Sequence, residues 1–159
     1  MYDSDQNRRW SRRDVLSAAT LGLAAAAGLG LAGPARATPK DAAARIKDLV
    51  GGKQAEGSSL IDLDLPEIAE NGNTVPVSVS VDSPMTADDY VKAVHVVAEK
   101  NPRPGVATFR FTPTSGRASA STRMRLAETQ NVVAVAELSD GSVIRTTKEV
   151  KVTIGGCGG

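Results

Sequence analysis

Hydrophobic and polar residues alternate along most of the chain after residue 58. The clearest case is residues 75–82, where Val75, Val77, Val79 and Val81 are separated by single proline or serine residues. A period of two is typical of a β-strand that buries one face. This criterion predicts seven strands, at residues 60–65, 75–81, 91–98, 107–111, 123–126, 132–138 and 142–154.

Turn-forming residues separate these strands at short intervals, at positions 71–73, 101–105, 114–116 and 140–141. No helical pattern alternates with the strands. We therefore predict an all-β fold, an immunoglobulin-like antiparallel β-sandwich. The likeness to immunoglobulins is one of architecture, because the Cys…Trp…Cys pattern of antibody domains is absent.

One short helix is predicted before the sandwich. Thr38 is a residue type that caps helices, and Pro39 suits the first helical position. Residues 42–50 favour helix, and Gly51-Gly52 ends it. Between the first two strands, residues 66–70 indicate a bend or a single helical turn.

The N-terminal segment has the features of an export signal. Arg12 and Arg13, within Ser-Arg-Arg-Asp-Val-Leu, resemble a twin-arginine pair. An apolar run follows, and Ala-Arg-Ala at residues 35–37 predicts cleavage between Ala37 and Thr38. The run is too rich in alanine and glycine for a membrane anchor. We expect a periplasmic protein that has no membrane association after cleavage.

These boundaries divide the chain into four segments. Residues 1–37 are the predicted twin-arginine signal peptide, and residues 38–57 are an N-terminal helix and linker. Residues 58–154 form the sandwich, and residues 155–159 form a C-terminal arm. The mature part has the size of one ordinary domain.

The charge of the mature part argues against nucleic acid as a partner. Five of the 19 basic and three of the 18 acidic residues precede residue 38, so the remainder is close to neutral. No run of lysine or arginine with interleaved aromatic residues is left after cleavage.

The only cysteine, Cys157, lies between two pairs of glycine, Gly155-Gly156 and Gly158-Gly159. Because glycine gains little by ordering, we interpret residues 155–159 as a flexible swinging arm that presents the thiol to pockets of other proteins. Cys157 is then the covalent attachment site, and the four glycines supply flexibility. A frayed tail with an accidental cysteine is the alternative. It fits an exported protein poorly, because a lone thiol there invites unwanted disulfides.

The sequence offers no constellation for catalysis. His95 is the only histidine, lies in the middle of a strand and has no second ligand with which to hold zinc. A thiol enzyme would need His95 to activate Cys157, with a third group to orient the histidine. The carboxylate pairs at residues 62 and 64 and at residues 88 and 89 lack a pocket signature. We predict no enzymatic activity, no catalytic residue, no metal and no cofactor.

Several features together identify a family. They are the twin-arginine signal, a β-rich domain of this size, the stretch Pro66-Glu67-Ile68-Ala69-Glu70-Asn71-Gly72 followed by Val75-Pro76-Val77, and the terminal pentapeptide. In these the chain resembles the SoxY family, the sulfur-carrier subunits of a periplasmic thiosulfate-oxidising system of bacteria.

The resemblance implies a division of labour among several proteins. It implies a heterodimer with a second small β-protein, SoxZ, and covalent attachment of sulfur intermediates at Cys157. It also implies transient visits to three enzymes. A c-type haem enzyme couples thiosulfate oxidatively to the thiol, a hydrolase releases sulfate, and a sulfane dehydrogenase oxidises the remaining sulfur.

Two other functions remain open on sequence grounds. The protein is alternatively an exported β-sandwich binding module in which Cys157 forms an interchain disulfide. Gly158-Gly159 also resembles the tails of carriers that bear a thiocarboxylate, although these need ATP-dependent adenylation, which does not suit an exported protein.

A partner is expected on structural grounds as well. An uncovered strand edge in a sandwich invites aggregation, so we predict that a partner covers one edge. The last strand, next to the arm, is one candidate for that edge.

We predict that changing both Arg12 and Arg13 to lysine holds unprocessed protein in the cytoplasm, because twin-arginine export requires the pair. Cell fractionation and N-terminal sequencing measure the outcome, and Thr38 is the expected mature N-terminus. The same change at Arg8 and Arg9 is the control and should permit export. Normal periplasmic accumulation of the Arg12, Arg13 variant would contradict the assignment.

Overall fold

The computed structural model describes residues 38–155, which contain one α-helix, nine strands and one 3-10 turn. The helix α1 spans Pro39–Leu49. The strands are β1 (Glu56–Gly57), β2 (Ile61–Asp64), β3 (Ile68–Asn71), β4 (Val75–Val81), β5 (Val91–Ala98), β6 (Gly105–Arg110), β7 (Ala118–Met124), β8 (Gln130–Leu138) and β9 (Val143–Ile154). The 3-10 turn at Pro113–Ser115 connects β6 to β7.

The strands form two sheets that face each other across one apolar core. The larger sheet has the order β1-β9-β8-β5-β6, with β3 also paired to β9, and the smaller has the order β2-β4-β7. The alternating valines of β4 point into the core, where they meet Val94 and Val96 of β5 and Val132 of β8, all fully buried. The predicted all-β sandwich is confirmed, because period-two alternation buries one face of each sheet.

The helix α1 covers the opposite face of the larger sheet. Val133 and Val135 point away from the main core and pack with Val50, Val143 and Ile46 in a second cluster. This second layer explains why β5 and β8 are apolar on both faces. The predicted helix is confirmed, and it starts at Pro39, the predicted first helical position.

Hydrogen bonds at the start of α1 involve the predicted mature N-terminus. The Thr38 backbone nitrogen and hydroxyl both donate to Asp41 Oδ2, at 2.6 and 2.8 Å. These two hydrogen bonds lower the pKa of Asp41 because they favour its ionised form. The acidic group also lies in the first turn of the helix, where the macrodipole favours negative charge.

Two short strands depart from the sequence prediction. Ile68–Asn71 is a strand and not a bend or helical turn, and Glu56–Gly57 within the predicted linker is also a strand. Both pair with β9 in parallel, so the sandwich is not purely antiparallel and has more than seven strands. Neither strand alternates large apolar with polar residues: both residues of β1 are exposed, and in β3 only Ala69 is buried. Ile68 points its large side chain into solvent, at 60 % exposure.

The outer edge of β9, which the sequence offered as one candidate for a partner, is partly occupied by strands of the same chain. At both ends of β9 the outer edge is already paired, with β1 at Ile144 and Arg145 and with β3 from Lys151 to Ile154. The edge strands of the described sheets are β1, β3 and β6 in the larger sheet and β2 and β7 in the smaller sheet. No described helix is long and apolar enough to cross a membrane.

We expect Leu126→Ala to lower the free energy of unfolding by about 2–5 kcal/mol, because Leu126 is fully buried where the sheets meet and its loss leaves a cavity. Leu60→Ala is the matched control. Leu60 is 45 % exposed, and its variant should stay within about 0.5 kcal/mol of the wild type. Chemical denaturation measures both. Equal losses would contradict the burial of Leu126.

Candidate functional site at the root of the C-terminal arm

The predicted site residues fall at or beyond the limits of the described structure. Cys157, together with Gly156, Gly158 and Gly159, lies outside the described residues, as do Arg12, Arg13 and Ala37. Thr38 is the first described residue and Gly155 the last. The structure therefore defines the root of the arm, which we take as Val152–Gly155 with the residues that contact it.

The end of β9 extends past its main neighbour. Pairing with β8 ends where Val150 meets Gln130, so Lys151–Ile154 overhang that ladder. The strand that pairs with this overhang is β3, through Ile68, Ala69 and Asn71. The short strand β3 therefore sets the point from which the arm departs.

Two further contacts hold the overhang. The Gly72 backbone nitrogen donates to the Ile154 carbonyl at 2.7 Å, and the Gly72 carbonyl accepts from Leu126 at 2.8 Å. The Val152 backbone nitrogen donates to Thr129 Oγ1 at 2.9 Å. The chain around Leu126 thus contacts Gly72, which follows β3, and also β9. The backbone of the root is bound on two sides at Val152 and on the β3 side as far as Ile154.

A buried pair of amide side chains fixes the turn at residues 125–129. Asn101 and Gln130 are only 3 % and 2 % exposed. Asn101 Nδ2 donates to the Arg125 carbonyl at 2.7 Å, and its Oδ1 accepts from the Ala127 backbone at 3.0 Å. Gln130 Nε2 donates to the same Oδ1 at 2.9 Å. Because these buried groups satisfy each other, the turn is rigidly positioned beside β9.

Gly155 makes a close approach to this turn. A Cβ placed on Gly155 would lie well inside contact distance of the Ala127 carbonyl oxygen. Backbone atoms cannot yield as a flexible side-chain end can, so any other residue at 155 must displace either the arm or the turn. The sequence predicted Gly155 as a source of flexibility, and the structure adds this steric reason for glycine.

His95 lies far from the arm. It is 2 % exposed and pairs in the sheet with Val135, which in turn pairs with Arg145. From Arg145 to Ile154, β9 runs about 30 Å at roughly 3.3 Å per residue. That distance exceeds the reach of the arm, so His95 cannot serve as a base for Cys157.

Both ring nitrogens of His95 are also engaged. Nε2 lies 2.8 Å from Glu137 Oε1, and Nδ1 lies 2.9 Å from Thr108 Oγ1. In the neutral tautomer with the proton on Nε2, the ring donates to the Glu137 carboxylate and Nδ1 accepts from the threonine hydroxyl. His95 is therefore a buried residue of the sheet with both ring nitrogens in polar contacts.

No three metal-ligating side chains come together within residues 38–155. On β2, Asp62 and Asp64 alternate with buried residues and face solvent, as predicted.

The residues of the site that sequence reasoning missed are Asn101 and Gln130. Asn101 was assigned to a turn, and no local pattern shows that its side chain is buried against a distant loop.

Comparison with known proteins gives a family. The model of the family "Sulfur oxidation protein SoxY" matches residues 46–157, which is most of the chain and includes Cys157. The chain belongs to the SoxY family. The predicted resemblance is thus confirmed. No curated protein matches the chain significantly.

Solved structures agree with this assignment. The sulfur carrier protein SoxY from Chlorobium limicola f thiosulfatophilum is 34% identical, with a TM-score of 0.58, over 70% of this chain and 99% of that chain. A superoxide reductase (neelaredoxin) from Ignicoccus hospitalis is 17% identical, with a TM-score of 0.54, over 73% of this chain and 94% of its own. The superoxide reductase from Nanoarchaeum equitans is 12% identical, with a TM-score of 0.52, over 61% of this chain and 100% of that chain. At these low identities, the two reductases show a shared fold alone.

We predict that Gly155→Ala shifts the amide resonances of Ala127 and of the Asn101 side chain, because a methyl group at 155 must push the Ala127 carbonyl aside. Two-dimensional NMR of labelled protein measures this. Gly156→Ala is the matched control and should leave those resonances in place. If both variants give wild-type spectra, Gly155 does not pack against the turn.

Proposed function

We propose that this protein is a periplasmic carrier which holds sulfur intermediates of thiosulfate oxidation covalently on Cys157 and presents them to partner enzymes. Membership of the SoxY family supports a carrier in sulfur oxidation. The observation that carries the finer proposal is the root of the arm: a strand bound on two sides ends at Ile154, and the family match continues to Cys157.

The geometry suits a thiol that is delivered rather than one that reacts in place. From Gly155, the two residues to Cys157 span about 7 Å when extended. A slim segment of glycine and cysteine enters a narrow pocket without side-chain clashes. Within residues 38–155 the single histidine is committed elsewhere, so activation of the thiol is left to the enzyme that receives it.

The loading step is a two-electron oxidation. The Cys157 thiol and thiosulfate form a sulfur–sulfur bond, the thiol proton is released, and two electrons pass to a c-type haem enzyme. A hydrolase then adds water to the terminal sulfonate and releases sulfate, which leaves a persulfide on Cys157. A sulfane dehydrogenase oxidises that remaining sulfur. SoxZ is the proposed stable partner of the carrier domain.

One alternative differs in what it requires of the arm. An exported binding module that uses Cys157 for an interchain disulfide needs only the sulfur atom. It does not need a fixed root, a steric glycine at 155 or a short glycine-flanked segment. These features favour the carrier.

We predict that Cys157→Ser abolishes the added mass that the carrier acquires in cells grown with thiosulfate, and leaves the domain folded. Intact-mass measurement of purified protein gives the result, and circular dichroism confirms the fold. A variant that lacks only Gly159 is the matched control and should still be loaded. Added mass on the terminal carboxylate, or a constitutive disulfide-linked dimer in place of loading, would contradict the proposal.

A further inference from the structure

Three arginines line a cleft beside the root of the arm. The cleft has a volume of about 400 Å³ and lies between the start of β6 and the end of β7. Its walls include Arg103, Arg123 and Arg125, together with Asn101, Val106 and Met124. No acidic residue of the described chain lines it. Three like charges around one concave surface create a field that attracts anions.

The three guanidinium groups of this arginine cleft have no hydrogen-bond or ion-pair partner among residues 38–155. All three side chains are exposed, and within residues 38–155 the ion pairs join other residues, His95 to Glu137 and Lys100 to Glu128. None of the three arginine side chains makes a hydrogen bond to a described residue. Each guanidinium therefore offers its full fork of N–H donors, which matches the oxygens of a tetrahedral anion.

The backbone that carries two of these arginines is well fixed. Met124 lies between Arg123 and Arg125 and points into the core, at 4 % exposure. Both arginine side chains therefore project from the outer face. Asn101 Nδ2 holds the Arg125 carbonyl at 2.7 Å. A binding surface with a fixed backbone loses less entropy when a ligand orders the side chains.

Two residues, Asn101 and Ala127, connect the arginine cleft to the root of the arm. Asn101 lines the cleft and also accepts the backbone hydrogen bond of Ala127, at 3.0 Å. Ala127 in turn is the residue against which Gly155 packs. Gly155 is therefore separated from the lining of the cleft only by Ala127 and the side chain of Asn101.

We propose that the arginine cleft binds a sulfur oxyanion, that is, a tetrahedral sulfonate or sulfate group with a negative charge. This rests on the proposed function of the arm for the identity of the anion. Two sources share this chemistry: a free oxyanion from solution and the terminal sulfonate of cargo attached to Cys157. Because the site is exposed, its affinity should fall as ionic strength rises.

The free anion is tested with the Cys157→Ser protein at low ionic strength. Titration with sodium thiosulfate or sodium sulfate, followed by NMR of the arginine side-chain nitrogens, should shift Arg103, Arg123 and Arg125. Changing Arg123 and Arg125 to glutamine should weaken binding at least tenfold. Arg110→Gln, an exposed arginine of β6 outside the cleft, is the matched control and should leave binding unchanged.

The attached anion is tested with wild-type protein whose Cys157 carries a mixed disulfide with 2-sulfonatoethanethiol. The same arginine resonances should shift, and a mixed disulfide with uncharged 2-hydroxyethanethiol should leave them in place. Shifts in the first titration alone assign the cleft to free oxyanions, and shifts with the tethered sulfonate alone assign it to cargo. If neither shifts them, or if Arg110→Gln weakens binding equally, the proposal is wrong.

These measurements are independent of enzymatic loading. The mixed disulfide is made chemically, so the cleft can be tested even if cells grown with thiosulfate yield no added mass on Cys157. Conversely, a carrier that loads normally in cells and shows no shift in either titration retains its proposed function and lacks the oxyanion site.

Discussion

The hydrogen bonds along both edges of β9 are the constraint on which the rest of this structure depends. One edge pairs with β8 from Val143 to Val150, which joins β9 to the buried centre of the larger sheet. The other edge pairs with β1 near its start and with β3 near its end. A terminal strand with a single neighbour frays readily, and a terminal strand held on both sides does not. The arm therefore departs from a fixed point.

The length of the arm and the position of its root have different consequences for binding to a partner. Ordering a flexible segment in a partner's pocket costs conformational entropy for every residue that is fixed, about 1–2 kcal/mol each for the backbone. In the proposed carrier, a short arm would limit that cost and keep the thiol at a high effective concentration near the domain. Its limited reach makes the location of the root decisive. The overhang of β9 beyond Val150, supported by β3, carries the root past the end of the β8 ladder.

Sequence reasoning succeeded where the signal was local and periodic. The valines of β4 and the apolar run of β5 predicted their strands, and Thr38-Pro39 with Gly51-Gly52 predicted α1. It failed for β3, because the large side chain of Ile68 points outward and only Ala69 of this strand is buried. It also missed Asn101 and Gln130. Their role depends on burial against residues about thirty positions away, which is a tertiary property with no local signature.

The buried amide side chains of Asn101 and Gln130 explain why polar contacts in the core are useful beside the root of the arm. An unpaired buried amide is costly, whereas a satisfied one holds its neighbours in one geometry. Asn101 makes hydrogen bonds to Arg125, Ala127 and Gln130. It therefore supports both the turn that contacts Gly155 and one wall of the arginine cleft. An apolar residue at 101 would leave the Ala127 backbone nitrogen and the Arg125 carbonyl without these partners. The hydrogen bonds of Asn101 therefore link the position of Gly155, through Ala127, to the position of Arg125 in the cleft.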